Sequence, residues 1–106
     1  MPHYLMLTTL TDEGRRSLKD DPERLHEVNK EIEFMGIKII AQYALLGQYD
    51  FVNIVEALND EDAARLAINL SARGTMQTLT LTAMKVGDLV ERLKEQNSKE
   101  QSRDFS

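Results

Sequence analysis

The feature that most constrains this fold is an order of elements that occurs twice: a strand, a capped helix, a glycine and a second strand. The first copy has its strands at 4–10 and 37–46, and the second copy has them at 51–58 and 75–85. Gly36 and Gly74 end the two helices, because glycine readily adopts the left-handed conformation of a helix C-cap. Two such units with right-handed crossovers interleave into a four-stranded antiparallel sheet with both helices on one face.

Both long helices have clear start signals and one apolar stripe each. In the first, Asp21 is the predicted N-cap and Pro22 the first helical residue, and the stripe is Leu25, Val28, Ile32 and Met35. In the second, Asn59 or Asp60 is the predicted cap, and the stripe is Ala63, Leu66, Ala67 and Leu70. A weaker helical segment of one or two turns follows Thr11, because Gly14 disfavours a helix there. The resulting β-α-β-β-α-β order is that of a ferredoxin-like α+β fold.

The segment after the fourth strand predicts a short C-terminal helix over about 88–95, with Asp88 as cap and Glu91 three residues on. Residues 95–106 contain one strongly apolar residue, Phe105, and this composition predicts a disordered tail. The chain has 106 residues, so we expect one domain over 1–94.

The first three strands are apolar on both sides, which a sheet with one wet face would not need. Tyr4 and Met6 alternate with Leu5 and Leu7, and the hairpin strands show the same pattern. An apolar face left in water forgoes about 25 cal/mol per Å². We therefore expect a homodimer, or a higher oligomer, in which two sheets stack face to face. The polar side chains expected between those sheets are Asn53, Thr78, Thr80 and Thr82.

Charge and composition exclude several classes of function. The net charge is −5 and no basic stripe is present, so neither nucleic acid nor an anionic membrane is an expected partner. The chain has no cysteine, which excludes disulfides and cysteine-ligated metals. The first ten residues lack the pattern of a signal peptide and no apolar run approaches the length of a membrane span, so we expect a cytoplasmic protein.

The hairpin between the second and third strands resembles the GYD domain family. The resemblance lies in the turn Leu46-Gly47-Gln48-Tyr49-Asp50 and the strand Phe51 to Ala57 that follows it, and extends to Thr11-Asp12-Glu13-Gly14 and Asp21-Pro22. It covers about residues 3–85 and leaves the C-terminal helix outside. The departures are the absence of a proline near Leu58 and of a second glycine beside Gly36.

The resemblance implies a ferredoxin-like fold of the dimeric α+β-barrel kind, and it implies no particular chemistry. The same turn is also similar to the effector-sensing domain of leucine-responsive bacterial regulators, where it lies near an amino-acid site between subunits. This chain has no helix-turn-helix, so that similarity implies a stand-alone sensing domain.

Seven residues are the candidate ligand-binding set, divided between the turn and the sheet: Tyr4, Gly47, Tyr49, Asp50, Asn53, Thr78 and Thr80. They offer hydroxyl, amide and carboxylate groups to a small organic ligand held between two sheets. The alternative is that Gly47 and Asp50 only shape the turn, and that the threonines serve strand propensity. His3 and His26 lack any metal-ligand spacing, so no metal, cofactor or catalytic residue is predicted.

The function that these patterns favour is a homodimeric small-molecule-binding or accessory protein rather than an enzyme. Two alternatives stay open. A cofactor-independent monooxygenase or isomerase would need a perturbed titratable group in the cavity, for which Asp50, His3 and Glu56 are the candidates. A purely structural oligomer would have no ligand site.

Overall fold

The fold follows the predicted order of elements. It has two helices beyond the two-unit pattern, one near each end of the chain. The structure is a computed structural model that describes the backbone of residues 1–104 and the side chains of residues 1–97. Its elements are β1 (His3–Leu10), α1 (Asp12–Asp20), α2 (Arg24–Phe34), β2 (Lys38–Ala44), β3 (Phe51–Glu56), α3 (Asp60–Ser71), β4 (Met76–Ala83) and α4 (Val86–Asp104).

The four strands form one sheet in the order β2-β3-β1-β4, and every neighbouring pair is antiparallel. The two central strands are therefore β1 and β3, each the first strand of a repeated unit. This arrangement confirms the predicted ferredoxin-like α+β fold.

Helix capping agrees with the sequence at α3 and differs at α2. Asn59 is the α3 N-cap: its side-chain oxygen accepts a hydrogen bond from the Asp62 amide at 2.9 Å. Asp21, the predicted N-cap of α2, instead ends α1, because its amide bonds to the Ser17 carbonyl at 3.0 Å. A turn then intervenes, in which the Arg24 amide bonds back to the Asp21 carbonyl, and α2 proper begins at Arg24.

The hydrophobic core lies between the sheet and helices α2 and α3. Its fully buried members come from both layers: Tyr4, Met6, Ile32, Ile37, Val55, Ala57, Ala63, Leu66 and Leu70. Along β1 burial alternates strictly, with Tyr4, Met6 and Thr8 buried and their neighbours half-buried. This alternation shows which side of the strand faces the helices.

The strand register extends that assignment across the sheet and corrects one prediction. Met6 pairs with Asn53 on one side and with Thr80 on the other, and Thr8 pairs with Thr78. Directly paired residues lie on the same face. Asn53, Thr78 and Thr80 therefore face the helices, as does Thr82, which pairs with Tyr4, so placing these side chains between two stacked sheets was wrong. The opposite face carries their neighbours along the strands.

A β-bulge in β2 changes the side that its residues face. The register shifts between Ile39 and Ala41, which leaves Ile40 as the extra residue. Beyond the bulge, Gln42 pairs with Asn53 on the helix side and Tyr43 pairs with Val52 on the other. Strict alternation from Ile39 would have placed Tyr43 on the helix side.

The C-terminal helix is longer than predicted. It runs from Val86 to Asp104, whereas the sequence predicted a helix over about 88–95 and a disordered tail from residue 95. Every residue from Val86 to Asn97 is exposed. The last two residues of the predicted tail, 105–106, lie outside the described residues.

Helix α1 depends on a glycine that has no room for a side chain. Thr11 caps the helix by accepting from the Gly14 amide at 3.1 Å, and its own hydroxyl donates to the Gly74 carbonyl at 2.7 Å. The Thr11 amide donates to the Thr75 carbonyl at 3.0 Å. A Cβ added at Gly14 would lie 1.9 Å from the backbone oxygen of Thr75. The first turn of α1 is therefore held against the start of β4.

We expect Gly14→Ala to lower the free energy of unfolding by about 2–3 kcal/mol, because the backbone of either α1 or Thr75 must move. Urea denaturation followed by circular dichroism measures the change. Gly87→Ala is the matched control, since a Cβ at Gly87 meets no atom within 4 Å and should change stability by less than about 1 kcal/mol. Equal effects of the two substitutions would contradict the close-approach argument.

Candidate functional site: the open sheet face and its flanks

The sheet face that points away from α2 and α3 is apolar and uncovered; we call it the open face. Its large side chains come from all four strands: Leu5, Leu7, Tyr43, Val52, Ile54, Leu79 and Leu81. Leu79 and Leu81 are 45% and 47% exposed, and Tyr43 is 64% exposed. A contiguous apolar surface of this kind marks an interaction site in proteins.

A histidine and a glutamate meet at one end of the open face. His3 and Glu56 are direct partners across β1 and β3, and His3 Nε2 lies 2.9 Å from Glu56 Oε1. The hydrogen bond with His3 lowers the pKa of Glu56 below its usual value. The pair lines an open cavity of about 350 Å³, whose other lining residues include Met1, Ala83, Lys85 and Asp88. The contact joins an imidazole to a carboxylate, a combination that acid–base pairs of many sites use.

Tyr4 makes a second polar contact on the helix side. Its hydroxyl donates to Asp60 Oδ1 at 2.5 Å, while its ring is only 2% exposed in the core. The hydrogen bond to Asp60, followed by burial, raises the pKa of Tyr4 to about 12. The contact ties the end of β1 to the first turn of α3.

Three amides form a chain beneath helix α2. Gln42 donates to Asn53 Oδ1 at 2.6 Å and exchanges two hydrogen bonds with Asn29, at 2.9 and 3.0 Å. They line a small, partly open cavity of about 40 Å³ together with Thr8, Phe51 and neighbouring side chains. Thr80 Oγ1 is also buried, without a hydrogen-bond partner among the described residues. Ligand pockets are usually about 300–1,000 Å³, so this interior has no ready space for an organic molecule.

The hairpin turn uses its aspartate for structure. Asp50 Oδ2 accepts from the Leu10 amide at 2.7 Å, and the Asp50 amide donates to the Thr8 carbonyl at 2.8 Å. These two bonds attach the turn to the end of β1. Gly47 has φ +122°, a conformation that would be strained for any residue with a side chain. Tyr49 is half-buried. The geometry of Gly47 and Asp50 agrees with the alternative that these residues shape the turn.

The seven candidate residues do not converge on one site. Tyr4, Asn53, Thr78 and Thr80 lie between the sheet and the helices, whereas Gly47, Tyr49 and Asp50 belong to the turn after β2. Their ligand-binding role stays a prediction. The sequence did not reveal the pairing of His3 with Glu56, because it depends on the β1–β3 register. No group of three or more potential metal-ligating side chains occurs within residues 1–97.

The outer side of the helix layer has a groove of about 450 Å³ between α2 and α3. Phe34 borders it and is 93% exposed, and Met35, Leu66 and Leu70 form its apolar floor. Beside the groove, an ion pair joins Glu31 of α2 to Arg73, which follows the end of α3. The helix layer therefore also presents apolar surface to a partner.

Comparisons with known proteins agree with this fold and define the family. The GYD domain family matches residues 4–93, so the chain belongs to the GYD domain family. The match extends beyond the 3–85 that the motifs indicated and includes the first two turns of α4. A crystal structure, that of FFRP-DM1, is similar in fold with a TM-score of 0.53 and 18% sequence identity, covering 79% of this chain and 100% of that chain.

A curated relative is much closer in sequence. The chain is 50% identical over 95 residues to the "glutamine synthetase and cystathionine beta-lyase binding protein" of Thermus thermophilus, a match that covers 89% of this chain and 100% of the relative. That relative is a protein that binds other proteins. Within the described part of this chain, no helix is long and apolar enough to cross a membrane.

The Tyr4–Asp60 contact predicts a specific pH dependence. A folded pKa of about 12 against the usual 10.0 means that this contact stabilises the fold below pH 10 and is lost as the pH rises toward 12. In an absorbance titration of the chain's three tyrosines, one should ionise near pH 12. Tyr4→Phe should remove that late step and Tyr43→Phe should leave it; a late step that persists in Tyr4→Phe would refute the assignment.

Proposed function

We propose that this protein is a homodimeric, cytoplasmic accessory protein that binds enzymes of amino-acid metabolism through protein–protein contacts. The observation that carries the proposal is the 50% identity, over the whole length of the relative, to a protein named for binding glutamine synthetase and cystathionine β-lyase. The two exposed apolar surfaces of the fold, the open face and the groove between α2 and α3, support it.

The open face is the surface proposed to join two copies. Leu79 and Leu81 remain 45% and 47% exposed, and no helix among the described residues packs over this side of the sheet. Because each of the two side chains is already about half-buried, covering the rest is worth about 1 kcal/mol each. A second copy provides a surface of the same kind, and two identical apolar faces suit the isologous contact of a symmetric dimer.

We expect Leu81→Glu to raise the dimer dissociation constant by about 100-fold or more, because the dimer would bury two unpaired carboxylates. A sedimentation-velocity dilution series measures it. The control is Ile68→Glu, which places the same charge at a side chain that is 67% exposed on α3, away from the sheet. A wild-type chain that stays monomeric at micromolar concentration would refute the dimer.

The helix layer is the surface proposed for the enzyme partner. If a second copy covers the open face, the groove between α2 and α3 stays exposed on the helix side of each copy. Phe34 has the character of a binding anchor, since a large exposed aromatic ring gains much from burial in a partner's pocket. Two copies related by symmetry would present two such grooves, which suits oligomeric partners.

We expect the wild-type chain to bind the glutamine synthetase or the cystathionine β-lyase of its own organism in biolayer interferometry with purified proteins. Phe34→Ala should weaken this binding about tenfold or more through loss of a buried ring. The control is Leu58→Ala, which removes an exposed apolar side chain in the loop between β3 and α3. This variant should bind as the wild type does. Binding to neither enzyme would refute this assignment of partners.

A small organic ligand stays a finer part of the proposal. The cavity of about 40 Å³ between the sheet and α2 is too small for one, so we place the ligand between two copies, near the turn that carries Gly47 and Tyr49. The hydroxyl of Tyr49 and the backbone beside Gly47 are the groups proposed to contact it. The accessory function does not require this ligand.

A further inference from the structure

Helix α4 carries an apolar stripe along its first two turns. Val86, Leu89, Val90 and Leu93 follow one another at steps of three, one and three, which places them on one side of a helix. They are 74%, 44%, 41% and 50% exposed. Asp88, Glu91 and Glu95 occupy the opposite side. The stripe therefore has the pattern of a helix that packs against protein, although all four side chains stay at least 41% exposed in the single copy.

The rest of the copy does not support α4. No strand or helix among the described elements packs along it, and its residues 86–97 are all exposed. The radius of gyration is 18.5 Å, whereas a compact chain of this length has about 13 Å. Helices without tertiary packing are marginal in water. A partner must therefore stabilise this helix.

The area of the open face indicates which partner this is. Four strands about 4.8 Å apart and about 20 Å long give a face of roughly 400 Å². A stable interface buries about 800 Å² on each partner. The footprint of the open face is therefore small for a stable interface, and a second contact from each copy would enlarge the buried area.

The stripe continues the open face along the chain. Leu79 and Leu81 lie on the open face at the edge strand β4, and the chain then passes through Met84, which is 65% exposed, directly into Val86. The apolar side chains of the open face and of the stripe are thus close together in sequence, with Lys85 between them. The family match also ends at residue 93, so the stripe lies within the family domain.

We propose that α4 is an arm that packs its apolar stripe against the second copy of this chain and completes the dimer interface that the open face begins. This inference rests on the proposed homodimer and adds the segment that makes it stable. Each copy packs its arm against the other, so the dimer buries the four side chains of the stripe from both copies. The polar side of α4 stays in water.

Two matched double variants of the full chain test the arm. Leu89→Gln with Leu93→Gln removes two apolar side chains from the stripe, and Glu91→Gln with Glu95→Gln makes the same number of changes on the opposite side. Glutamine favours helices, so α4 keeps its propensity. We expect the stripe variant to raise the dimer dissociation constant about 100-fold or more, since a dimer loses four buried leucines, and the control to change it less than about threefold. Sedimentation velocity measures both.

Hydrogen exchange gives a readout that does not depend on substitution. Amides of residues 89–93 should be protected in concentrated protein and should exchange faster on dilution, in step with dissociation of the dimer. Protection that does not change on dilution would mean that α4 packs within its own copy, and would overturn the proposal.

The outcomes separate this inference from the proposed function. If the stripe variant dimerises as tightly as the wild type while Leu81→Glu does not dimerise, the arm is refuted and the sheet-to-sheet dimer stands. If the wild type itself is monomeric at micromolar concentration, both the arm and the proposed dimer are refuted. Because the stripe is exposed in the single copy, its substitution leaves the core intact, and unchanged thermal unfolding of the diluted monomer verifies this.

Discussion

The structure depends on the register of the central strand β1 with both of its neighbours. Tyr4, Met6 and Thr8 point to the helices, and their partners on β3 and β4 must point the same way, because paired residues share a face. A shift by one residue would turn every side chain over. The core, the polar contacts beneath the helices and the open face are all consequences of this one register.

The order of elements, the sheet topology and the helix-ending glycines could be predicted from the sequence, because each has a local signal. Which face of the sheet the helices cover could not be. When both sides of a strand are apolar, alternation identifies two faces and does not tell them apart, so Tyr4 and Asn53 were assigned to the wrong one. The bulge at Ile40 has no such signal either, and it reverses the direction of Tyr43.

The family motif at the hairpin has a structural explanation in the described residues. Gly47 adopts a backbone conformation that other residues rarely do, and Asp50 fastens the turn to β1 through the Leu10 amide. The His3–Glu56 pair and the exposed apolar surfaces lie outside the motif. Gly47 and Asp50 thus help to hold the sheet together, and the exposed apolar surfaces are identified by burial.

The bulge in β2 also limits how copies of this protein can join. Strand β2 is an edge of the sheet, and a regular edge offers its free amides and carbonyls to any other strand, which leads to open-ended aggregates. The extra residue at Ile40 interrupts the hydrogen-bonding pattern there, and Lys38 adds a charge at its start. These two features disfavour growth of the sheet from the β2 edge, and they leave its two faces as the surfaces through which copies can join.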